Sequence, residues 1–89
     1  MTNPADLTER LGRILRRERI AAGLTIEAFC EQYHTTPDAL ESLEGGRYRS
    51  GAICRQPLRI GDLLIKLEAP ISVLGEADRI CQTIHRSRL

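Results

Sequence analysis

The stretch that most constrains this chain covers residues 25–46 and reads TIEAFCEQYHTTPDALESLEGG. Thr25 is a candidate N-cap for one short helix, because a threonine hydroxyl can accept an unpaired N–H of the first turn. Thr36 and Pro37 begin a second helix in the same way, since proline suits the first helical position. The closing Gly-Gly pair predicts the end of that helix. The stretch therefore predicts two short helices joined by a tight turn, which is typical of a helix-turn-helix unit.

Apolar residues at helical spacing predict three more helices, so the expected fold is all-α with five helices. The first should be capped by Asp6 or Thr8, run to about Ala22 and end at Gly23. After a basic loop over residues 47–57, the fourth helix should run from 57 or 58 to about 68 and be ended by Pro70. The fifth should run from about 74 to 85, after a connection over residues 72–75. The expected buried residues are Leu7, Leu11, Ile14, Leu15, Ala39, Leu40, Leu43, Ile60, Leu63, Leu64, Leu67, Leu74, Ala77, Ile80, Cys81 and Ile84. We expect one domain over 1–89, with a core over about 7–85 and short mobile termini.

Composition excludes several classes of protein. No apolar run approaches the roughly 20 residues of a membrane span, and residues 7–24 contain too many arginines for a signal peptide. Three cysteines without a C-x-x-C pair favour a cytoplasmic protein over a disulfide framework. No glycine-rich phosphate loop or clustered acid pair indicates an enzyme or a cofactor.

The charge is distributed unevenly along the chain, although its net value is only +1. Residues 25–46 contain five acidic residues and no lysine or arginine. Residues 47–59 contain four arginines and no acidic residue. An acidic helix pair is thus followed directly by a basic segment, and any binding function has to accommodate both.

The segment LGRILRRERIAAGLTIEAF and the later TTPDALESLEGGR resemble the phage-repressor/Cro helix-turn-helix family, also called the XRE family. The resemblance covers about residues 9–68, and each of its motifs is weaker alone than in combination. The matching positions are Leu11, Leu15, Arg16, Arg19, Gly23, Leu24, Thr25, Glu27, Glu44, Gly46 and Arg47.

The resemblance implies a repressor-like fold and sequence-specific binding to a double-stranded DNA operator by a small transcriptional regulator. It also implies an ion pair between Arg19 and Glu44 that joins the first helix to the third; the alternative is that both side chains face solvent. The residues expected to contact phosphates are Thr25, Thr36, Arg47, Arg49 and Arg55. Those expected to face the major groove are Asp38, Glu41 and Ser42.

Several positions depart from the family pattern. Ile26 replaces the usual glutamine at the start of the second helix, Cys30 replaces alanine, and His34 replaces the glycine of the turn. Acidic side chains also occupy the recognition helix, where base readout favours arginine, lysine, asparagine and glutamine. The alternative function is a degenerate helix-turn-helix that binds a protein partner, such as an antiactivator docking on the basic surface of a transcription factor.

Two further possibilities concern metal and dimerisation. Cys30 with His34, and Cys81 with His85, are each spaced i and i+4, so together they offer four zinc-ligand side chains; the alternative is that both cysteines are small core residues. A homodimer could form through the last helix and the apolar residues 71, 73 and 74, or these residues could complete the core of the monomer.

Overall fold

The computed structural model describes residues 4–46 and 56–87, and this part of the chain is all-α, as the sequence predicts. Its five helices are α1 Pro4–Ala21, α2 Ile26–Tyr33, α3 Pro37–Glu44, α4 Gln56–Lys66 and α5 Ile71–Ser87. The predicted basic loop, with Arg47, Arg49 and Arg55, lies outside the described residues apart from the first positions of α4. None of the described helices has the length and apolar character needed to cross a bilayer.

One hydrophobic cluster joins all five helices, with α1 at its centre in contact with α3, α4 and α5. The predicted inward faces form this cluster, because apolar residues spaced three and four apart share one side of a helix. Leu67, Leu74 and Cys81 are only partly buried at its margin, and Ala39 is likewise intermediate. The largest fully buried side chains are Phe29, Leu11, Leu15, Leu40, Ile60, Leu64 and Ile84.

The end of α1 follows from Gly23, as the sequence predicts. This glycine has a left-handed backbone, with φ at 76°. Its N–H donates to the carbonyl of Ile20 at 2.9 Å, and the N–H of Leu24 donates to the carbonyl of Arg19 at 3.2 Å. These two bonds satisfy carbonyls that the last turn leaves open, and they direct the partly buried Leu24 toward the core.

The predicted start of α1 is wrong. The helix begins at Pro4, so Asp6 and Thr8 lie inside it and neither is its cap. Thr8 is 3% exposed, and its hydroxyl donates to the carbonyl of Gly46 at 3.1 Å. The Thr8 hydroxyl therefore links α1 to the end of α3 and does not cap a helix. A buried hydroxyl needs a hydrogen-bond partner, and here the partner comes from a distant segment.

The predicted boundaries of α4 and α5 also need correction. The fourth helix begins at Gln56 and ends at Lys66, because Glu68 adopts a left-handed backbone with φ at 57°. The carbonyl of Pro70 then accepts the N–H groups of residues 73 and 74 at 2.9 and 3.0 Å, so Pro70 immediately precedes α5 and its carbonyl accepts the first hydrogen bonds of that helix. The expected connection at 72–75 is part of α5, which continues to Ser87, beyond its expected end.

Candidate functional site

The turn between α2 and α3 is closed by His34. Its backbone lies in the left-handed region, with φ at 54° and ψ at 49°, and its N–H donates to the carbonyl of Cys30. The N–H of Thr35 donates to the same carbonyl at 3.1 Å. Left-handed backbone normally favours glycine, so the imidazole stands at a position of modest strain. The two helices leave this turn in contact with each other.

Both helices begin at an exposed threonine cap, as the sequence predicts. The hydroxyl oxygen of Thr25 accepts the N–H of Ala28 at 3.1 Å, and that of Thr36 accepts the N–H of Ala39 at 3.2 Å. Each hydroxyl keeps its own proton, so it can still donate to an external acceptor. The N-termini of α2 and α3 therefore each offer a donor beside the positive end of a helix dipole.

The outer side of α3 is polar and exposed to solvent. Asp38, Glu41 and Ser42 are exposed, whereas Leu40 and Leu43 on the opposite side are 0% and 2% exposed. The residues expected to face a partner thus share the outward side of one short helix. Its inward side is anchored in the core, so the outward side is held at a defined orientation.

The exposed side chains of the helix-turn-helix unit form an acidic surface, which we define as Glu27 and Glu31 on α2 with Asp38 and Glu41 on α3. Each pair is spaced for one helix face. Among the described residues, none of these four carboxylates lies in an ion pair. The described arginines and lysine lie on α1, α4 and α5, so no cation of α2 or α3 neutralises this surface.

Arg19 and Glu44 form a buried ion pair between the ends of α1 and α3. The guanidinium Nε lies 2.7 Å from Oε2 of the carboxylate, and Nη2 lies 3.4 Å from Oε1. Nη1 donates to the carbonyl of Leu24 at 2.8 Å. The side chains are only 8% and 9% exposed. This two-pronged contact holds the C-terminal end of α3 at a fixed distance from α1, at the point where the basic segment begins.

Two glycines allow α1 and the end of α3 to approach closely. A Cβ on Gly12 would lie 2.5 Å from the carbonyl oxygen of Leu43, and one on Gly46 would lie 2.6 Å from the backbone nitrogen of Glu9. Gly46 also has a left-handed backbone, with φ at 68°. The sequence patterns considered above did not single out Gly12. The feature that could have indicated it is a glycine in the middle of a helix. Glycine destabilises such a position, so its presence suggests that another backbone passes close by.

Cys30 belongs to the core rather than to an open site. It is 8% exposed, and burial raises the pKa of its thiol, with Glu27 and Glu44 adding to the increase and Arg19 opposing it. Zinc binds the thiolate, so a raised pKa disfavours metal binding here. His34 lies one turn further on, exposed at the turn.

Cys81 lies on α5, half-buried, and its pKa is raised to about 11 by burial and by the negative charge of Asp78. The side chain of His85, its suggested partner in metal binding, lies outside the described residues. Within the part of the chain that the structure describes, no three His, Cys, Asp or Glu side chains are grouped to hold a metal ion.

Comparison with known proteins does not identify a family for this chain. No protein-family model matches the chain, and neither a curated protein nor a solved structure matches it. The function is therefore inferred from the geometry and charge of the residues themselves.

Proposed function

We propose that this protein is a small transcriptional regulator of the phage-repressor (XRE) type, which binds double-stranded DNA with α2, α3 and the turn between them. The observation that carries the proposal is the exposed polar side of α3, from Asp38 to Ser42, on a helix whose other side and C-terminal end are fixed in the fold. A short helix held in this way can enter a major groove without losing its orientation.

The contacts to the DNA backbone would come from the two threonine caps and the basic segment. The hydroxyls of Thr25 and Thr36 can donate to phosphate oxygens. Arg47, Arg49 and Arg55, which follow α3 in sequence, would supply the positive charge. If these three arginines each meet a phosphate, the logarithm of affinity should fall with the logarithm of salt concentration at a slope of roughly −3 per protomer.

The acidic residues of α3 limit which bases can be read. Carboxylates such as Asp38 and Glu41 accept hydrogen bonds only, and in the major groove they can accept from the N4 amino group of cytosine. Ser42 can donate or accept. Because the same carboxylates repel phosphates, binding to unrelated sequences should be weak, and discrimination should favour sites that present cytosine.

A second candidate function is binding to a cationic protein surface, and the acidic surface favours it. Four exposed carboxylates stand on a helix pair without a lysine or arginine of its own. Complementary potentials steer and align protein partners. In this case α3 would occupy the basic DNA-binding surface of a transcription factor, as an antiactivator does.

The double variant Asp38→Asn/Glu41→Gln separates the two functions, because it should change them in opposite directions. If α3 faces DNA, removing two like charges should raise the affinity for a labelled random duplex roughly five- to tenfold at low salt. If α3 faces a cationic protein, the variant should bind an arginine-rich probe peptide more weakly. Fluorescence anisotropy measures both.

The matched control is Glu9→Gln/Glu68→Gln, which makes the same change in net charge on exposed residues outside α2 and α3. It should leave the random-duplex affinity close to that of the unmodified chain. Absence of duplex binding by both the unmodified chain and the α3 variant at low salt would reject the DNA proposal. Peptide binding that is lost in the α3 variant and kept in the control would then support the protein-binding function.

A further inference from the structure

We propose that the surface shared by α1 and α5 binds an acidic amphipathic helix of a partner protein. A basic strip covers this surface, which we define as Arg10, Arg13 and Arg17 on α1 with Arg79 and Arg86 on α5. All five residues are exposed. The proposal goes beyond the function proposed above, because none of these residues lies on α2 or α3.

The α1 part of the basic strip lies on one face of that helix. Residues 10, 13 and 17 are spaced i, i+3 and i+7, so they follow one another along a single side of α1 over about 10 Å. Thr8 and Gly12, which approach the end of α3, belong to a different side of the helix. The strip therefore faces away from the contact between α1 and α3.

A groove between α1 and α5 joins the two parts of the strip. It has a volume of about 440 Å³, and Arg10 and Arg79 line it from opposite helices. Leu7 and Ile80, which are each 5% exposed, line it as well. Guanidinium groups beside buried apolar side chains suit a ligand that offers both carboxylates and apolar groups.

The α5 part of the strip carries positive charge that is free to bind a partner. Thr83 lines the groove, and Arg79 and Arg86 lie one turn to either side of it on the same face of α5. Neither arginine forms an ion pair with another described residue, and the same holds for Arg13 on α1. An acidic partner would therefore gain ion pairs at these three positions without breaking existing ones.

The other two arginines of the strip are already in ion pairs at the surface. Arg10 lies 3.5 Å from Glu76, and Arg17 lies 3.7 Å from Glu18. The side chains of Arg10 and Glu76 are 52% and 39% exposed, so solvent screens their attraction. Glu76 also lines the groove, where its charge would repel the carboxylate of a partner. Removing that charge should therefore strengthen binding.

The apolar residues beside the strip favour a protein helix over a nucleic acid. Ile20 lies one turn beyond Arg17 and is 58% exposed. A helix with carboxylates three and four positions apart matches the spacing of the α1 arginines, and its apolar side chains can cover Ile20 and the buried residues of the groove. A phosphate backbone supplies negative charge but no apolar side chain for these positions.

The first test measures binding of the full chain to a fluorescent synthetic peptide of about five helical turns, with glutamate on one face and leucine on the other. Arg10→Gln/Arg79→Gln should weaken binding roughly tenfold or more, because it removes both guanidiniums of the groove. The matched control is Arg59→Gln/Lys66→Gln, which removes the same charge from exposed residues of α4. It should leave the affinity nearly unchanged. Far-UV circular dichroism checks that both variants remain folded.

The second test changes the affinity in the opposite direction. Glu76→Gln should raise the affinity for the peptide severalfold, because it frees Arg10 and removes a like charge from the groove. The matched control is Glu68→Gln, which neutralises one exposed carboxylate outside the groove and should have little effect.

Three outcomes would overturn the proposal. One is equally tight binding of a peptide with the same composition in scrambled order, since affinity would then depend on charge alone. Another is an unchanged affinity in Arg10→Gln/Arg79→Gln. The third is binding of duplex DNA or phosphatidylserine vesicles through the strip without binding of the peptide, which would assign the surface to phosphate groups. The peptide measurements contain no DNA and leave α2 and α3 unmodified, so failure of the DNA proposal does not affect them.

Discussion

The buried ion pair between Arg19 and Glu44 should be among the most sensitive positions in the protein. Arg19→Met removes two hydrogen bonds to the carboxylate, at 2.7 and 3.4 Å, and one to the carbonyl of Leu24 at 2.8 Å. The carboxylate that remains is 9% exposed and has lost its cation. Breaking one side of such a buried pair costs about 3–5 kcal/mol, since the remaining charge is left without compensation.

That loss is large relative to the stability of a chain of this size. At roughly 0.05–0.15 kcal/mol per residue, 89 residues give a total of about 4–13 kcal/mol. Urea unfolding followed by circular dichroism should show the loss as a lower midpoint. The melting temperature should fall by more than about 10 °C, because each kcal/mol shifts a domain of this size by about 4–8 °C.

A second ion pair of α1 provides the matched control. Arg10 and Glu76 lie 3.5 Å apart, but their side chains are 52% and 39% exposed. Arg10→Met should cost no more than about 1 kcal/mol, because solvent and salt screen an exposed pair.

The double variant Arg19→Met/Glu44→Leu should be more stable than Arg19→Met alone, since it removes the uncompensated charge as well. If Arg19→Met cost no more than Arg10→Met, the pair would not brace α3 in solution. The outward side of α3 would then not be held in place by this ion pair.

Three further predictions concern backbone geometry and pH. Gly12→Ala should destabilise the fold by about 1–3 kcal/mol, because its methyl group meets the backbone of α3, whereas Gly75→Ala, with open space around it, should stabilise α5 by about 0.5–1 kcal/mol; urea unfolding compares them. His34→Gly should raise stability by up to about 1 kcal/mol by relieving the left-handed backbone, which thermal unfolding would detect. The pKa of Cys81 is raised from its ordinary 9.0 to about 11, so the folded state holds that proton more tightly and stability should fall as pH rises from 9 to 11. Cys81→Ala should lose less stability than the unmodified chain over that interval.

Each of these has a result that would contradict it. Equal effects of the two alanine substitutions would mean that α1 and α3 do not approach closely at Gly12. A lower melting temperature for His34→Gly would mean that the imidazole makes a stabilising contact in solution. Identical pH profiles with and without Cys81 would mean that its thiol titrates alike in the folded and unfolded chains.

Local sequence was sufficient to predict the helices and most of their inward faces. The caps at Thr25, Thr36 and Gly23 are made within one turn of the residues that they serve, so all the participating atoms lie within a few positions. The apolar periodicity likewise reports which side of a helix avoids water, whatever it packs against. The exposure of Asp38, Glu41 and Ser42 agrees with the polar side of that pattern.

Contacts between distant segments were decided only by the tertiary structure. Thr8 looked like a cap because nothing nearby shows that the carbonyl of Gly46 approaches it from 38 positions away. Gly12 was not singled out, because only the close approach of α3 to α1 makes the lack of a side chain necessary there. A residue's local preference depends on its own turn of helix, whereas burial and close approach depend on which other segments the whole chain brings alongside it.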